Sequence, residues 1–569
     1  MRGQEETPVR AASPRQTIQV RFADGRTYEG PVGTPVAEFV EAAYPDAPCP
    51  AVAALLDGEL VELTYAVSKD ADVVPVDTST NAGMRVYQRS LSFVLIVAGR
   101  ELFPRVRVIV DHSIALGGFF CQIMGRELFS QDELEAIERR MHEIVAADEP
   151  ILRARMPVTV AREMFASQGY DDKVHLLDYR EEEQVTVYKL RGVHDYFYGC
   201  MMPSTGKLRW FSLRLYPPGL ILRMPQRREP TVLPPHRDYP KLTAVFREYK
   251  DWLSILGMEN IASLNEAIES GQMRKTILVT EALHEKRISD IADDIVARSG
   301  QVRLILIAGP SASGKTTFAR RLAIQLMVDG FKPFALGLDD YFVDRELTPH
   351  DESGNYDFEA LGAINLPLFN RQLLALMDGN PVRLPRYDFK KGKSEWGKEI
   401  RLSQDALIIV EGIHGLNPDL LPSVPAEFVH RIYVSALTQL NIDHHNRVPT
   451  TDTRLLRRIV RDAHHRGYSA RETIKRWESV RRGEERNIFA YQENADVMFN
   501  SALAYELAVL KPFAEPLLLR VPHGTMEYME ASRLLDFLQW VRPHKPDMIP
   551  DNSLLREFVG GSILRDFQF

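Results

Sequence analysis

The chain is nearly free of cysteine: Cys49, Cys121 and Cys200 are the only three in 569 residues. Odd in number and far apart, they supply neither a disulfide framework nor a C-x-x-C metal pair, so a reducing, cytoplasmic setting is expected. Long apolar runs are lacking too. The longest, such as residues 93–98 and 304–308, fall far short of the roughly 20 residues a membrane span needs. No membrane partner is expected. Nor is positive charge in excess, since 70 Lys and Arg stand against 78 Asp and Glu. Contact with RNA would therefore need a local basic patch. Residues 1–15 form a polar tail of Arg, Glu and Pro with no apolar centre, unlike a secretory signal. No internal repeat or low-complexity tract stands out.

What is present is an ordinary globular balance, 45% hydrophobic and 26% charged, at a length that calls for several domains. Alternating strands and an Asp24-Gly25 turn predict a small β-rich module over 16–78, and the polar stretch 77–83 reads as a linker. Mixed strands and helices follow over 84–225, with a helix predicted at 131–147 that Ser130 and Glu133 would cap reciprocally. A Pro- and Arg-rich connector with polar helices occupies 226–299. From 300 to 522, short continuous apolar runs at 303–308, 333–338, 406–410 and 431–434 alternate with helical segments. That texture predicts a parallel sheet with helices on both faces. A C-terminal helix and tail fill 523–569.

One stretch of the last large segment carries chemistry. Gly309, Pro310, Ser311, Ala312, Ser313, Gly314, Lys315 and Thr316 match G-x-x-x-x-G-K-[ST], and Thr317 follows. The run leaves a predicted strand and enters a predicted helix, where glycines let backbone N–H groups curl around phosphate oxygens. Lys315 can reach β- and γ-phosphates, and the Thr316 hydroxyl can ligate Mg²⁺. ATP and Mg²⁺ are the expected cofactors.

Two neighbouring strands end in acids, at Asp339-Asp340 and at Glu411. In open α/β sheets the ligand crevice lies at the carboxyl ends of the strands, so both acids are expected near the γ-phosphate. By order and setting Asp339 is assigned as proton acceptor and Glu411 to the metal, with Asp339 also close to it. Asp340 reads as a bystander. Arg454, Arg457, Arg458 and Arg461 share one face of a predicted helix. They read either as a lid that closes over ATP or as a solvated face paired with Asp452, Asp462 and Glu472.

Together these pieces resemble the uridine kinase/phosphoribulokinase family: GPSASGKTT (309–317), LDDYF (338–342), NYDFEAL (355–361), PRYDF (385–389), IIVEGIHGL (408–416) and TRLLRRIVRDAHHRG (453–467). The resemblance implies an α/β P-loop kinase domain with Asp339 as general base and Thr316 and Glu411 serving Mg²⁺. It further implies that Asp357 binds ribose hydroxyls, that Tyr387 and Phe389 flank a nucleobase, and that Arg458, Arg461 and Arg466 act around substrate and phosphates. Uridine–cytidine kinases carry a histidine shortly after YDF and a glutamine where Arg476 stands here. In this chain the first stretch is Lys390-Lys391-Gly392-Lys393, so the base preference stays open.

The front half is similar to other proteins. Residues 16–78 resemble a β-grasp-like TGS domain, and 84–225 resemble the α+β editing-type second domain of threonyl-tRNA synthetase through GGFFCQI (117–123), QDELEAIERRMHEIV (131–145) and PSTGKL (203–208). Where that domain carries His and Cys metal ligands, this chain has Arg89, Phe93, Phe197 and Met201, so no zinc is expected. His112 in DHSIA reads as structural. The whole arrangement resembles bacterial nucleoside kinases, and the expected reaction moves the γ-phosphate of ATP to a nucleoside hydroxyl. Two alternatives stay open: a kinase of another small alcohol, or a translation-linked protein with an ATP-driven switch. An RNA or ribosome-related partner stays open for residues 16–225.

Overall fold

The computed structural model describes residues 15–114, 117–351, 354, 356–388, 391–403 and 406–569. The first sheet follows from period-two patterning: in Thr17–Phe22, Ile18, Val20 and Phe22 are buried while Gln19 and Arg21 face water. Asp24-Gly25 turns the chain back into Thr27–Pro31, with Gly25 at φ 87°. Thr17–Phe22 also runs parallel to Ala71–Asp77, and Ala51–Leu56 and Glu59–Glu62 complete five strands. The helix Val36–Ala43 covers the sheet with Val36, Phe39 and Val40.

The predicted linker at 77–83 is instead a helix start. Thr80 accepts the Gly83 N–H and caps Asn81–Leu102, because the polar residues that mark a loop also mark an N-cap. This helix shares an apolar core with Gln131–Ala146 and an antiparallel sheet of Ser212–Tyr216, Gly219–Arg223, Gly118–Met124 and Arg107–Ser113. Ser130 and Glu133 form both bonds of the capping box at the start of Gln131–Ala146. His112 stacks on Phe246 at 3.8 Å.

A second five-stranded sheet is wholly parallel, in the order Pro333–Gly337, Leu407–Glu411, Leu304–Ala308, Val429–Ser435, Val497–Asn500. Its central strand is buried at every residue, so both faces need cover. One face packs against Phe318, Leu322 and Leu326 of Lys315–Val328 and Ile288, Ile291 and Ile295 of Met273–Ala297. The other packs against Phe369, Leu373 and Leu376 of Leu366–Met377. No helix among the described residues is long and apolar enough to cross a membrane.

The front and back of the chain share a core. Phe165, Leu176 and Tyr196 lie in one cluster with Leu455, Ile459 and Tyr505, and with Phe537, Trp540 and Phe558 from the C-terminal segment. A buried charge set pins the same junction: Lys173 Nζ lies 2.9 Å from both Asp195 and Asp443. His445 Nδ1 lies 2.6 Å from Asp195 as well.

Candidate active site

The phosphate loop leaves the central strand at Gly309. A Cβ there would lie 1.9 Å from the Val434 carbonyl oxygen, so only glycine lets the loop pass the adjacent strand. Ala312 (φ 58°) and Gly314 (φ 85°) bend the loop into a nest whose N–H groups precede the helix Lys315–Val328. Lys315 Nζ donates to the Pro310 carbonyl at 3.2 Å, curling over the loop.

The neighbouring strand ends bring the acids in. Glu411 is paired in register with Ile307 on one side and Gly337 on the other. The Thr316 hydroxyl donates to its carboxylate at 2.8 Å. Burial pushes the Glu411 carboxyl above the usual range, and Lys315 and the Thr316 bond oppose that shift. Asp339 follows Gly337 by two residues at the edge of the same crevice. Its side chain meets water, yet surrounding protein raises its carboxyl, with the Lys315 and Arg466 charges pulling the other way. A hydroxyl and a carboxylate held 2.8 Å apart beside phosphate-binding amides suit a hard cation that keeps several waters. The residues present fit Mg²⁺.

The arginine helix, Thr450–Arg466, differs from both sequence readings. Arg454 and Arg457 are fully buried and form no lid. Arg454 pairs with Glu484 and donates to the Ser311 carbonyl at 3.0 Å. Arg457 pairs with Glu506 at 2.6 Å and reaches the Ala312 carbonyl at 3.4 Å. They brace the phosphate loop from behind, because the helix is buried on several faces at once and its periodicity alone cannot say what it packs against. Arg458 donates to the Ser311 hydroxyl at 2.9 Å. Arg458, Arg461 and Arg466 lie 3.3, 3.4 and 3.5 Å from Asp462. Of the partners named for a solvated face, Asp462 alone pairs with these arginines; Asp452 takes Arg533, and Glu472 caps Ala470–Glu484.

The proposed acceptor side is partly assembled. Asp357 pairs with Arg486 at 3.0 Å. Tyr387 is buried on the hairpin of Val382–Asp388 and Lys393–Ile400, 5.5 Å from the Phe342 ring, and its N–H donates to Asp340 at 3.4 Å. Arg476 lies over Tyr468 at 4.2 Å. Phe389 and Lys390 lie outside the described residues.

Three acids escaped the sequence reading. Glu484 accepts the Ser311 N–H at 2.8 Å. Glu557, in the C-terminal segment, accepts the Thr317 N–H at 3.3 Å and its hydroxyl at 2.8 Å. Leu554 follows the same approach, since a Cβ on Gly314 would lie 2.6 Å from it. Glu359 lies near Glu484, its carboxyl raised to about 7 by burial and the Glu484 charge against Arg458 and Lys315. Only Glu359 had a signal, its place inside the 355–361 motif.

Residues 304–507, which carry the phosphate loop on the parallel sheet, match the phosphoribulokinase / uridine kinase family. The N-terminal part carries sequence like that of threonine–tRNA ligases. The Halorhodospira halophila ligase is 34% identical over 164 residues, 29% of this chain and 26% of that protein. The Polaromonas naphthalenivorans ligase is 33% identical over 199 residues, 34% of this chain and 31% of that protein. The chain spans about a quarter to a third of the length of these relatives. Among solved structures, one described as a possible uridine kinase from Bacillus stearothermophilus aligns with a TM-score of 0.27 at 20% identity. It covers 38% of this chain and 98% of its own.

In the front half, Arg89, Phe93, Phe197 and Met201 come together. The Phe93 and Phe197 rings lie 5.1 Å apart, Ser90 contacts the Met201 sulfur, and Arg89 donates to the Cys200 carbonyl. This is packed core with no carboxylate, imidazole or thiolate among the four.

Proposed function

We propose that this chain transfers the γ-phosphoryl group of ATP to the 5′-hydroxyl of a nucleoside. The observation that carries the reading is the Thr316–Glu411 bond at 2.8 Å beside Lys315, with Asp339 two residues beyond the adjoining strand. In this proposal the nest Gly309–Thr317 cradles the phosphates and Lys315 offsets charge on the β- and γ-oxygens. Thr316 and Glu411, with Asp339 near them, hold Mg²⁺. The ion, when bound, neutralises charge shared by the two terminal phosphates.

Asp339 accepts the proton of the attacking hydroxyl as its oxygen bonds to the γ-phosphorus and the bond to ADP breaks. Arg458, Arg461 and Arg466 spread positive charge around the transferring group. Asp357 takes the ribose hydroxyls by exchanging its Arg486 partner, and Tyr387 and Phe389 flank the base. ADP release across a nucleoside panel tests this. Asp339→Asn is expected to keep ATP binding and lose at least about a hundredfold in turnover. Silence with every nucleoside, or an unaffected Asp339→Asn, overturns it.

A further inference from the structure

Away from the phosphate loop, a cleft of about 490 Å³ lies between the antiparallel front sheet, the connector and the two arginine-bearing helices. Five arginines line it, Arg227, Arg228, Arg237, Arg447 and Arg481, against a single acid, Glu485. Three are neutralised locally. Arg227 pairs with Glu478, Arg228 lies 3.1 Å from Glu485, and Arg481 lies 3.2 Å from Glu484.

Arg447 is different. It is half-buried at the cleft, and among the described residues it makes no hydrogen bond or ion pair; its one close partner is the Phe119 ring at 4.5 Å. The nearest carboxylate of use, Asp452, is already held by both nitrogens of Arg533 at 2.6 and 2.9 Å. Burial without a partner accordingly pulls the Arg447 guanidinium below its ordinary pKa. Leaving such a charge uncompensated is costly, and a protein keeps one where an anion comes to meet it.

A second feature points into the same space. Thr450 and Thr451 line the cleft at the start of Thr450–Arg466, which follows Pro449 and has no side-chain cap. The Asp452 and Thr453 N–H groups go to the Pro449 carbonyl, while among the described residues those of Thr450 and Thr451 make no hydrogen bond, at the positive end of the helix dipole. Phe119, Tyr239 and Phe489 give the remaining wall flat apolar rings.

We propose that this cleft is a second anion site that takes a small phosphate monoester bearing a planar ring, with Arg447 and the Thr450–Thr451 helix start on the phosphate. The enclosed volume and the three internally paired arginines favour a small ligand over a polyanion, which would need an open basic track. Occupancy has a direct route to the phosphate loop, since Arg481 bonds Glu484 and Glu484 accepts the Ser311 N–H.

Calorimetric titration of the full chain with inorganic phosphate and with AMP tests the site, in a Lys315→Ala background so that the phosphate loop does not contribute. Lys315→Ala is expected to retain saturable binding of inorganic phosphate and of AMP, and adding Arg447→Met to weaken the phosphate site at least about tenfold, the scale of a lost charge-assisted contact. Arg237→Gln, at the exposed rim, is the second variant should the first fold poorly, with a loss of about threefold expected. Abolition of all binding by Lys315→Ala alone, or equal binding with and without Arg447, overturns the proposal. So does saturable, salt-sensitive binding of transfer RNA that depends on Arg447 while AMP and phosphate give no saturable heat; that result assigns the cleft to RNA.

Discussion

Two polar sites of this chain have gone opposite ways. Around the phosphate loop, the surrounding protein raises the carboxyls of Glu411, Glu359 and Asp339, and Glu484 is buried against Arg454. In the front half, Arg89, Phe93, Phe197 and Met201 come together, with three of them buried as apolar core. Buried carboxylates are expensive, whereas apolar side chains fill space cheaply. The contrast is between a crevice that keeps its carboxylates and a junction that is packed.

Substitutions can break or sharpen that contrast. Glu484→Gln leaves the fully buried Arg454 without its counter-charge, and a loss of about 3–5 kcal/mol is expected in denaturant unfolding, with nucleotide binding impaired as well. Phe93→Ala is expected to cost about 3–4 kcal/mol by the same measurement while leaving turnover intact at temperatures where the variant is folded. Equal damage to turnover from both would erase the distinction.

Glu359 gives a pH-dependent test. Its carboxyl titrates near 7 in the folded protein and near 4.5 when unfolded, so the folded state holds an extra proton between those values. That contribution is complete below about 4.5 and is lost as pH rises through 7. Glu359→Gln is therefore expected to gain on the native chain by about 1–3 kcal/mol between pH 5 and pH 8, read as a widening difference in melting temperature. A pH-independent difference would place Glu359 outside the charged crevice. The smallest effect is expected at Glu557, whose carboxylate occupies the Thr317 N–H and hydroxyl. Because these groups face the phosphates at a helix start, Glu557→Ala is expected to tighten ATP binding several-fold, about 1 kcal/mol, by calorimetry. Weaker binding would make Glu557 a support of the loop rather than its competitor.

Much of the site could be read in order along the chain. The loop 309–317, Asp339 and Glu411 were legible because each sits at the end of a short apolar strand, and a parallel sheet puts such ends together. Arg454 and Arg457 were misjudged because helical spacing groups side chains by face without naming the neighbour. The start of Asn81–Leu102 reads as a linker in the sequence because Thr80 and Asn81 suit a cap and a loop equally. Glu484 and Glu557 left no trace: they meet Ser311 and Thr317 across 173 and 240 residues.

Local order alone, then, determined the phosphate nest, the strand-end acids and the division into a synthetase-like front and a kinase-type back, since each depends on neighbours within a few residues. Only the tertiary structure decided which charges are paired. It alone buried Arg454 and Arg457 behind the loop, brought the C-terminal Glu557 to Thr317, and left Arg447 without a counter-ion among the described residues beside an open cleft. Pairing is a matter of distance in space, and spacing along the chain does not encode it.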